Sequence, residues 1–206
     1  MSIHYPPGSA PKSADSELLK KSRTKKPKSA KSLCKVAPGN RGIAFEESIN
    51  RSNAYYGEKG LCLITKRPTP IKVVKVDYSH GPKITHAFYE KQSTTDYNGV
   101  YRGHYIDFEA KETQNKTAFP LANIPLQQIA HLEQVIAHGG IAFFLIHFAS
   151  LRKTYLLPAK FITAFYREKP RASIPLSLIE KEGQPIEESY MPPVDYLPAL
   201  VKAFDL

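Results

Sequence analysis

Two carboxylates and a lysine, Asp96, Glu109 and Lys111, are the residues of this 206-residue chain best spaced to do chemistry. Glu109 and Lys111 lie two apart in a segment that alternates cleanly. Ile106, Phe108 and Ala110 fall on one face of a strand, and Asp107, Glu109 and Lys111 on the other. Upstream, Thr94-Thr95-Asp96-Tyr97-Asn98-Gly99 reads as a second short strand. Asn98-Gly99 is taken as its turn, because both residues tolerate positive φ. Folding such a hairpin back brings Asp96 beside Glu109 and Lys111. That group suits metal-dependent phosphodiester hydrolysis. Carboxylate oxygens hold a hard divalent cation, which polarises the phosphoryl group and activates water. The ammonium stabilises charge that develops on the phosphate. Glu-x-Lys spacing alone is equally what a charged, solvent-facing edge strand would show. Asp96 is what adds weight to the catalytic reading.

The elements that must position these groups read as an α/β core. Order is expected to begin near residues 39–42, with Asn40 capping a helix that places Phe45, Ile49 and Tyr56 on one face. Gly57 to Gly60 ends it. Glu46, on the first turns, either faces a metal site or simply sits favourably near the helix N-terminus. A strand at 61–66 is broken by Lys66-Arg67-Pro68-Thr69-Pro70. Residues 71–78 and 84–89 then form a basic β excursion about the turn 79–82. It reads as a projection lined by Lys66, Arg67, Lys72, Lys75 and Lys83, the candidate DNA contacts. The plainer reading is a sheet edge kept soluble by lysines.

Beyond the Asp107–Lys111 strand, residues 115–123 read as a loop. Pro125 opens a helix whose buried stripe is Leu126, Ile129, Leu132 or Glu133, and Ile136. Gln127, Gln128 and His131 lie off that stripe, and Gly139-Gly140 ends the helix. The apolar run 141–148 fits a strand covered on both faces. A strand at 153–157 and a helix at 158–166, with Phe161 and Phe165 inward, follow. From residue 167 onward, proline-rich sequence reads only as a wrapped C-terminal segment.

Composition bounds the partners. Net charge is +10, and residues 1–40 carry nine Lys/Arg against two Asp/Glu. Residues 1–38, rich in Lys, Ser and Pro, cannot bury enough apolar surface to fold and are expected to be a disordered basic tail. Residues 39–206 form the domain. A polyanion, nucleic acid first, is the simplest partner for such a chain. No apolar run reaches membrane-spanning length, and no signal-peptide core is visible, so a cytoplasmic protein without membrane association is expected. Cys34 and Cys62 lack metal-ligand spacing and fit a reducing compartment. There is no glycine-rich phosphate loop and no nucleophile elbow.

Asn40-Arg41-Gly42, Lys66-Arg67-Pro68-Thr69-Pro70, Thr94-Thr95-Asp96-Tyr97-Asn98-Gly99 and Asp107-Phe108-Glu109-Ala110-Lys111-Glu112-Thr113, in this order, resemble RecU, the Holliday junction resolvases of Gram-positive bacteria. The likeness covers about residues 39–206. It implies a restriction-endonuclease-like fold, a mixed β-sheet flanked by helices, with a basic β stalk at about 66–89. It also implies a homodimer that nicks four-way DNA junctions symmetrically with Mg²⁺, or Mn²⁺ in its place, during recombination and repair. By the family pattern, Thr94, Asp96, Glu109 and Gln128 correspond to metal-site positions and Lys111 to the transition-state stabiliser. Contacts with the RecA recombinase and the branch-migration machinery are implied only by the resemblance. Thr95 stands where many members of the wider nuclease superfamily carry proline, a departure given little weight because that position does not touch the metal chemistry.

Two other readings use the same core. A sequence-specific restriction enzyme needs side chains placed for major-groove readout, and a basic excursion with few Asn or Gln suits that poorly. A non-catalytic DNA-binding modulator of recombination would keep the fold without the chemistry. The intact Asp96, Glu109 and Lys111 weigh against it.

Overall fold

The computed structural model describes residues 42–90, 94–187 and 189–206. The tail at 1–38, Cys34, Asn40 and Arg41 lie outside the described residues. Helix α1 (Ile43–Glu58) is entered from Gly42 at φ 95°. Its buried stripe of Phe45, Ile49 and Tyr56 is the one that helical spacing predicts. Strand β1 (Leu63–Lys66) follows, then β2 (Ile71–Asp77) and β3 (Lys83–Tyr89), which pair only with each other. The chain continues through β4 (Tyr97–Tyr101), β5 (His104–Thr113), β6 (Ala118–Pro120), a single 3₁₀ turn and α2 (Leu126–Ala137). Next come β7 (Ile141–Phe148), β8 (Lys153–Pro158), α3 (Ala159–Glu168), β9 (Ser173–Pro175), α4 (Leu176–Glu182), β10 (Gln184–Ile186) and α5 (Leu197–Phe204).

The main sheet has six strands in the order β1-β4-β5-β7-β8-β10. Strands β5 and β7 are parallel, joined by the crossover through α2; the other neighbours are antiparallel. Helices cover both faces. On one side Phe45, Ile49, Leu197 and Leu200, from α1 and α5, pack over Tyr97, Phe108 and Phe143. On the other, Ile129, Leu132, Ile162 and Ile179, from α2, α3 and α4, pack over Phe144, Ile146 and Phe148. This is the mixed α/β architecture expected from the sequence. Among the described residues, no helix is long and apolar enough to cross a membrane.

An aromatic ladder pins the register of the three central strands. Tyr97 pairs with Phe108 and Phe108 with Phe143, their rings stacked at centroid distances of 4.8 and 4.7 Å. A one-residue slip would turn every side chain of a strand to the opposite face, so this ladder also decides which charges share a face.

Four expectations change. The turn between β4 and β5 is Arg102-Gly103, at φ 48° and 80°, not Asn98-Gly99. Both of those residues lie inside β4. Gly99 is needed there for close approach, because a Cβ would stand 1.9 Å from the Leu63 carbonyl oxygen of β1. The polar face of β5 is not turned to water: Asp107 and Glu109 are buried beneath the second helical layer. The supposed loop 115–123 contains β6, paired with β9. The proline-rich C-terminus is largely regular structure, with prolines marking the starts of elements. Pro175 is the residue just before α4, and Pro198 lies in the first turn of α5.

Candidate active site

Because Tyr97 faces Phe108, Asp96 and Glu109 are brought together on the opposite side of the sheet. The Asp96 backbone N–H donates to Glu109 Oε2 at 3.1 Å. Two residues along the same strand face, Lys111 Nζ donates to Glu109 Oε1 at 2.5 Å. Glu109 is 1% exposed, whereas Lys111 reaches the surface. Burial pushes the Glu109 carboxyl up to about 8, against the pull of Lys111 and with a further push from Asp96. Burial thus favours the protonated form of Glu109 in the metal-free site.

Helix α2 brings a third oxygen donor. Gln128 lies in its first turn and is 4% exposed, rather than off the buried side as the apolar stripe suggested. Its Oε1 has no hydrogen-bond partner. A buried amide oxygen left unpaired costs about 1–3 kcal/mol. Gln128, Asp96, Glu109 and Lys111 line one cleft of about 510 Å³, with Gly42 and Glu46 at the start of α1 on its wall. Among the described residues, no group of three or more His, Cys, Asp or Glu is placed to hold a metal ion. The donors converging here are instead two carboxylates and an amide oxygen. An all-oxygen set that leaves room for water is what a hard cation such as Mg²⁺ takes, and it gives the orphaned Gln128 oxygen a partner. These residues fit the ion that the sequence implies.

Other candidates are placed differently. Thr94 is half-buried and is not among the residues lining the cleft. Lys72, Lys75 and Lys83 are exposed on the β2–β3 hairpin. Lys66 is not on that hairpin; it ends β1 and pairs with Glu46 at 2.5 Å. Arg67 turns inward, with its Nη2 donating to buried Asp107 at 2.8 Å. A guanidinium committed in this way does not line the projection, whereas the Lys66 side chain stays 42% exposed at the end of β1. Asp107 itself, taken from the sequence as part of a polar face, is 0% exposed. It is held by Arg67, Thr95, Tyr105 and His131. Its burial could be anticipated only by knowing that α2 covers that face.

A mixed sheet presenting two carboxylates, a lysine and an amide oxygen in one cleft gives a donor set suited to metal-assisted phosphodiester chemistry. Comparison with known proteins gives the family. The family model described as Recombination protein U, RecU, matches residues 40–202, and the chain belongs to that family. The Holliday junction resolvase RecU of Lactococcus lactis subsp. lactis is 50% identical over 202 residues, covering 95% of each chain. That of Geobacillus kaustophilus is 50% identical over 163 residues, covering 77% of this chain and 82% of its own. Among solved structures, the Holliday junction resolvase Hjc of Archaeoglobus fulgidus overlays with a TM-score of 0.41 at 11% identity. It covers 70% of this chain and 95% of that one, a likeness too weak to argue from.

Proposed function

We propose that this chain is an endonuclease that resolves four-way DNA junctions by paired, Mg²⁺-dependent nicks in recombination and repair. The observation that carries the reading is the 50% identity to a named Holliday junction resolvase across 95% of both chains, joined to an intact Asp96–Glu109–Lys111 group. Asp96, Glu109 and the Gln128 amide oxygen hold the cation, with Mn²⁺ an acceptable substitute. When bound, it polarises the scissile phosphate and lowers the pKa of an attacking water. Glu109 must give up its proton for this, and Lys111 Nζ, 2.5 Å away, stabilises the resulting carboxylate. The same ammonium then faces the charge that builds on the phosphate. Thr94 contributes to the site through the family pattern alone.

A homodimer suits the task, because two nicks related by an approximate two-fold axis need two sites related in the same way. Lys72, Lys75 and Lys83 on the hairpin supply phosphate contacts that position the junction without reading bases. A cytoplasmic location, and encounters with RecA recombinase and the branch-migration machinery, belong to this proposal through the family.

The test is cleavage of a synthetic four-way junction beside linear duplex of the same sequence, with Mg²⁺ and with chelator. Paired nicks confined to the junction and abolished by chelator are expected. Tight junction binding without cleavage under several divalent metals would replace this reading with a non-catalytic modulator. Equal cutting of both substrates would make it a different nuclease on the same core.

A further inference from the structure

Behind the cleft, and forming no part of its lining, lies the buried carboxylate of Asp107. It sits on β5 two residues before Glu109 and on the same strand face. An ion buried this deeply is costly unless its oxygens are fully engaged. Asp107 is engaged from four separate places. Arg67 donates to both oxygens, Nη2 to Oδ2 at 2.8 Å and Nη1 to Oδ1 at 3.4 Å. Thr95 Oγ1 donates to Oδ1, and Tyr105 Oη donates to Oδ2 at 2.8 Å. His131 Nε2 lies 3.0 Å from Oδ2. Burial would raise this carboxyl, but these partners, Arg67 first, hold it below the usual carboxylate range.

Three of the four partners belong to a segment that carries a site residue: Thr95 precedes Asp96, Tyr105 is on β5 with Glu109, and His131 is on α2 with Gln128. Thr95 and Asp96 precede the first ladder pair of β4, so regular strand bonding does not fix them. They are fastened instead from two sides. The Asp96 N–H goes to Glu109. The Asp96 carbonyl accepts the Arg67 backbone N–H at 2.7 Å. Arg67 Nη1 donates to the Thr95 carbonyl at 3.2 Å and to Thr95 Oγ1 at 2.5 Å. The Thr95 hydroxyl thus accepts from Arg67 while donating to Asp107. On the other flank, His131 is three residues beyond Gln128, a spacing that puts both on neighbouring parts of one face of α2. Thr95 is therefore the link between a buried carboxylate and the Asp96 peptide.

We propose that Asp107 is the positioning residue of the site, fixing Asp96 through Thr95 and Arg67, and Gln128 through His131, relative to Glu109. It touches neither the cation nor the substrate in this role. The inference deepens the nuclease reading and rests on it only for its effect on cleavage.

The Thr95 hydroxyl is the cleanest handle. Valine keeps its shape and branching, whereas serine keeps its hydroxyl. Thr95→Val, Thr95→Ser, Tyr105→Phe and Asp107→Asn would be compared with the wild-type chain by Mn²⁺ titration calorimetry, hydrogen–deuterium exchange and thermal melting. Removing a hydrogen-bonding partner from behind a metal ligand typically weakens metal binding by about 10- to 100-fold. Thr95→Val should weaken Mn²⁺ binding by about tenfold and speed exchange across residues 94–97, while Thr95→Ser stays within about twofold of wild type. Tyr105→Phe, which deletes one donor and leaves Thr95 in place, should fall between them. Asp107→Asn should loosen both 94–97 and the first turns of α2.

Equal losses in Thr95→Val and Thr95→Ser would overturn the proposal, because side-chain volume and not the hydroxyl would then matter. So would Thr95→Val with wild-type Mn²⁺ affinity and exchange. A wild-type chain that binds Mn²⁺ with the same valine–serine split yet cleaves no junction would sink the nuclease reading and leave the positioning role standing.

Discussion

In the β2–β3 hairpin Phe88 is 57% exposed, and Val73, Val74 and Ile84 face solvent beside it; in the central sheet Phe108 and Phe143 are wholly buried. The charges are distributed in the same opposed way. Lys72, Lys75 and Lys83 stand in water on the hairpin, whereas Glu109 and Asp107 are enclosed among packed side chains. Both regions are β structure, and they differ in whether a second layer covers them. A covered strand can hold a carboxylate at one place with an altered proton affinity. An uncovered strand can only display charge, which acts over about a Debye length and weakens with salt. The sheet is thus equipped for chemistry and the hairpin for attraction.

The comparison is broken most severely at the carboxylates. Asp96→Ala or Glu109→Ala should lower the junction cleavage rate by about 10³-fold or more, since each removes a ligand of the ion on which transition-state stabilisation rests. Junction affinity measured in Ca²⁺ should stay near wild type. Loss of affinity along with activity would give these side chains a structural role instead. Next in size is packing. Phe143→Ala, deep in the aromatic ladder, should cost about 3–5 kcal/mol in denaturant unfolding. Phe88→Ser on the hairpin should change stability by no more than about 0.5 kcal/mol. Similar costs would mean that the hairpin is covered in solution.

Neutralising Lys72, Lys75 and Lys83 together should leave the melting temperature unchanged. It should also flatten the log–log dependence of junction affinity on salt by about 2.7 per protomer, if each lysine meets one phosphate. A slope unchanged from wild type would remove the hairpin from the DNA contacts. The smallest effect concerns the proton on Glu109. With its carboxyl raised to about 8 in the metal-free site, cation binding must displace a proton at lower pH. Mn²⁺ affinity should climb by up to about tenfold per pH unit towards 8 and level off above it. Calorimetry in buffers of different ionisation enthalpy should show the released proton near pH 7. Absence of that proton would mean that Lys111 already keeps Glu109 ionised. The same raised carboxyl makes the metal-free fold lose stability as pH rises from the unfolded value near 4.5 towards 8. The unfolded chain gives up that proton first.

Two-residue periodicity puts Glu109 and Lys111 on one strand face, but a turn at Asn98-Gly99 would set Asp96 near Tyr101; the turn at Arg102-Gly103 is what brings it beside Glu109. The helices with one apolar stripe, α1 above all, were legible from their own periodicity. Asn98-Gly99 misled because glycine has two uses: positive φ in a turn, and the missing Cβ where another backbone comes close. Only the partner strand, 30-odd residues away in sequence, tells which applies. Gln128 looked peripheral because an apolar stripe marks the side of a helix packed on the core. It does not mark the side closed off by a cleft wall. The elements after residue 167 were lost because proline reads as a break, although here Pro175 stands just before α4 and Pro198 in the first turn of α5. Asp107 shows the limit most clearly. A charged residue on an alternating strand means solvent unless one knows that a helix, an arginine and a threonine from distant segments converge on it.

Arg67 has a mechanical consequence. Pro68 and Pro70 follow it directly, and the Glu90 N–H closes the neck of the hairpin on the Pro70 carbonyl at 2.9 Å. The hairpin is therefore a lever whose stiff neck starts one residue beyond the clamp on Thr95 and Asp96. The first strand of the hairpin is thereby tied, through Arg67, to the peptide that carries Asp96.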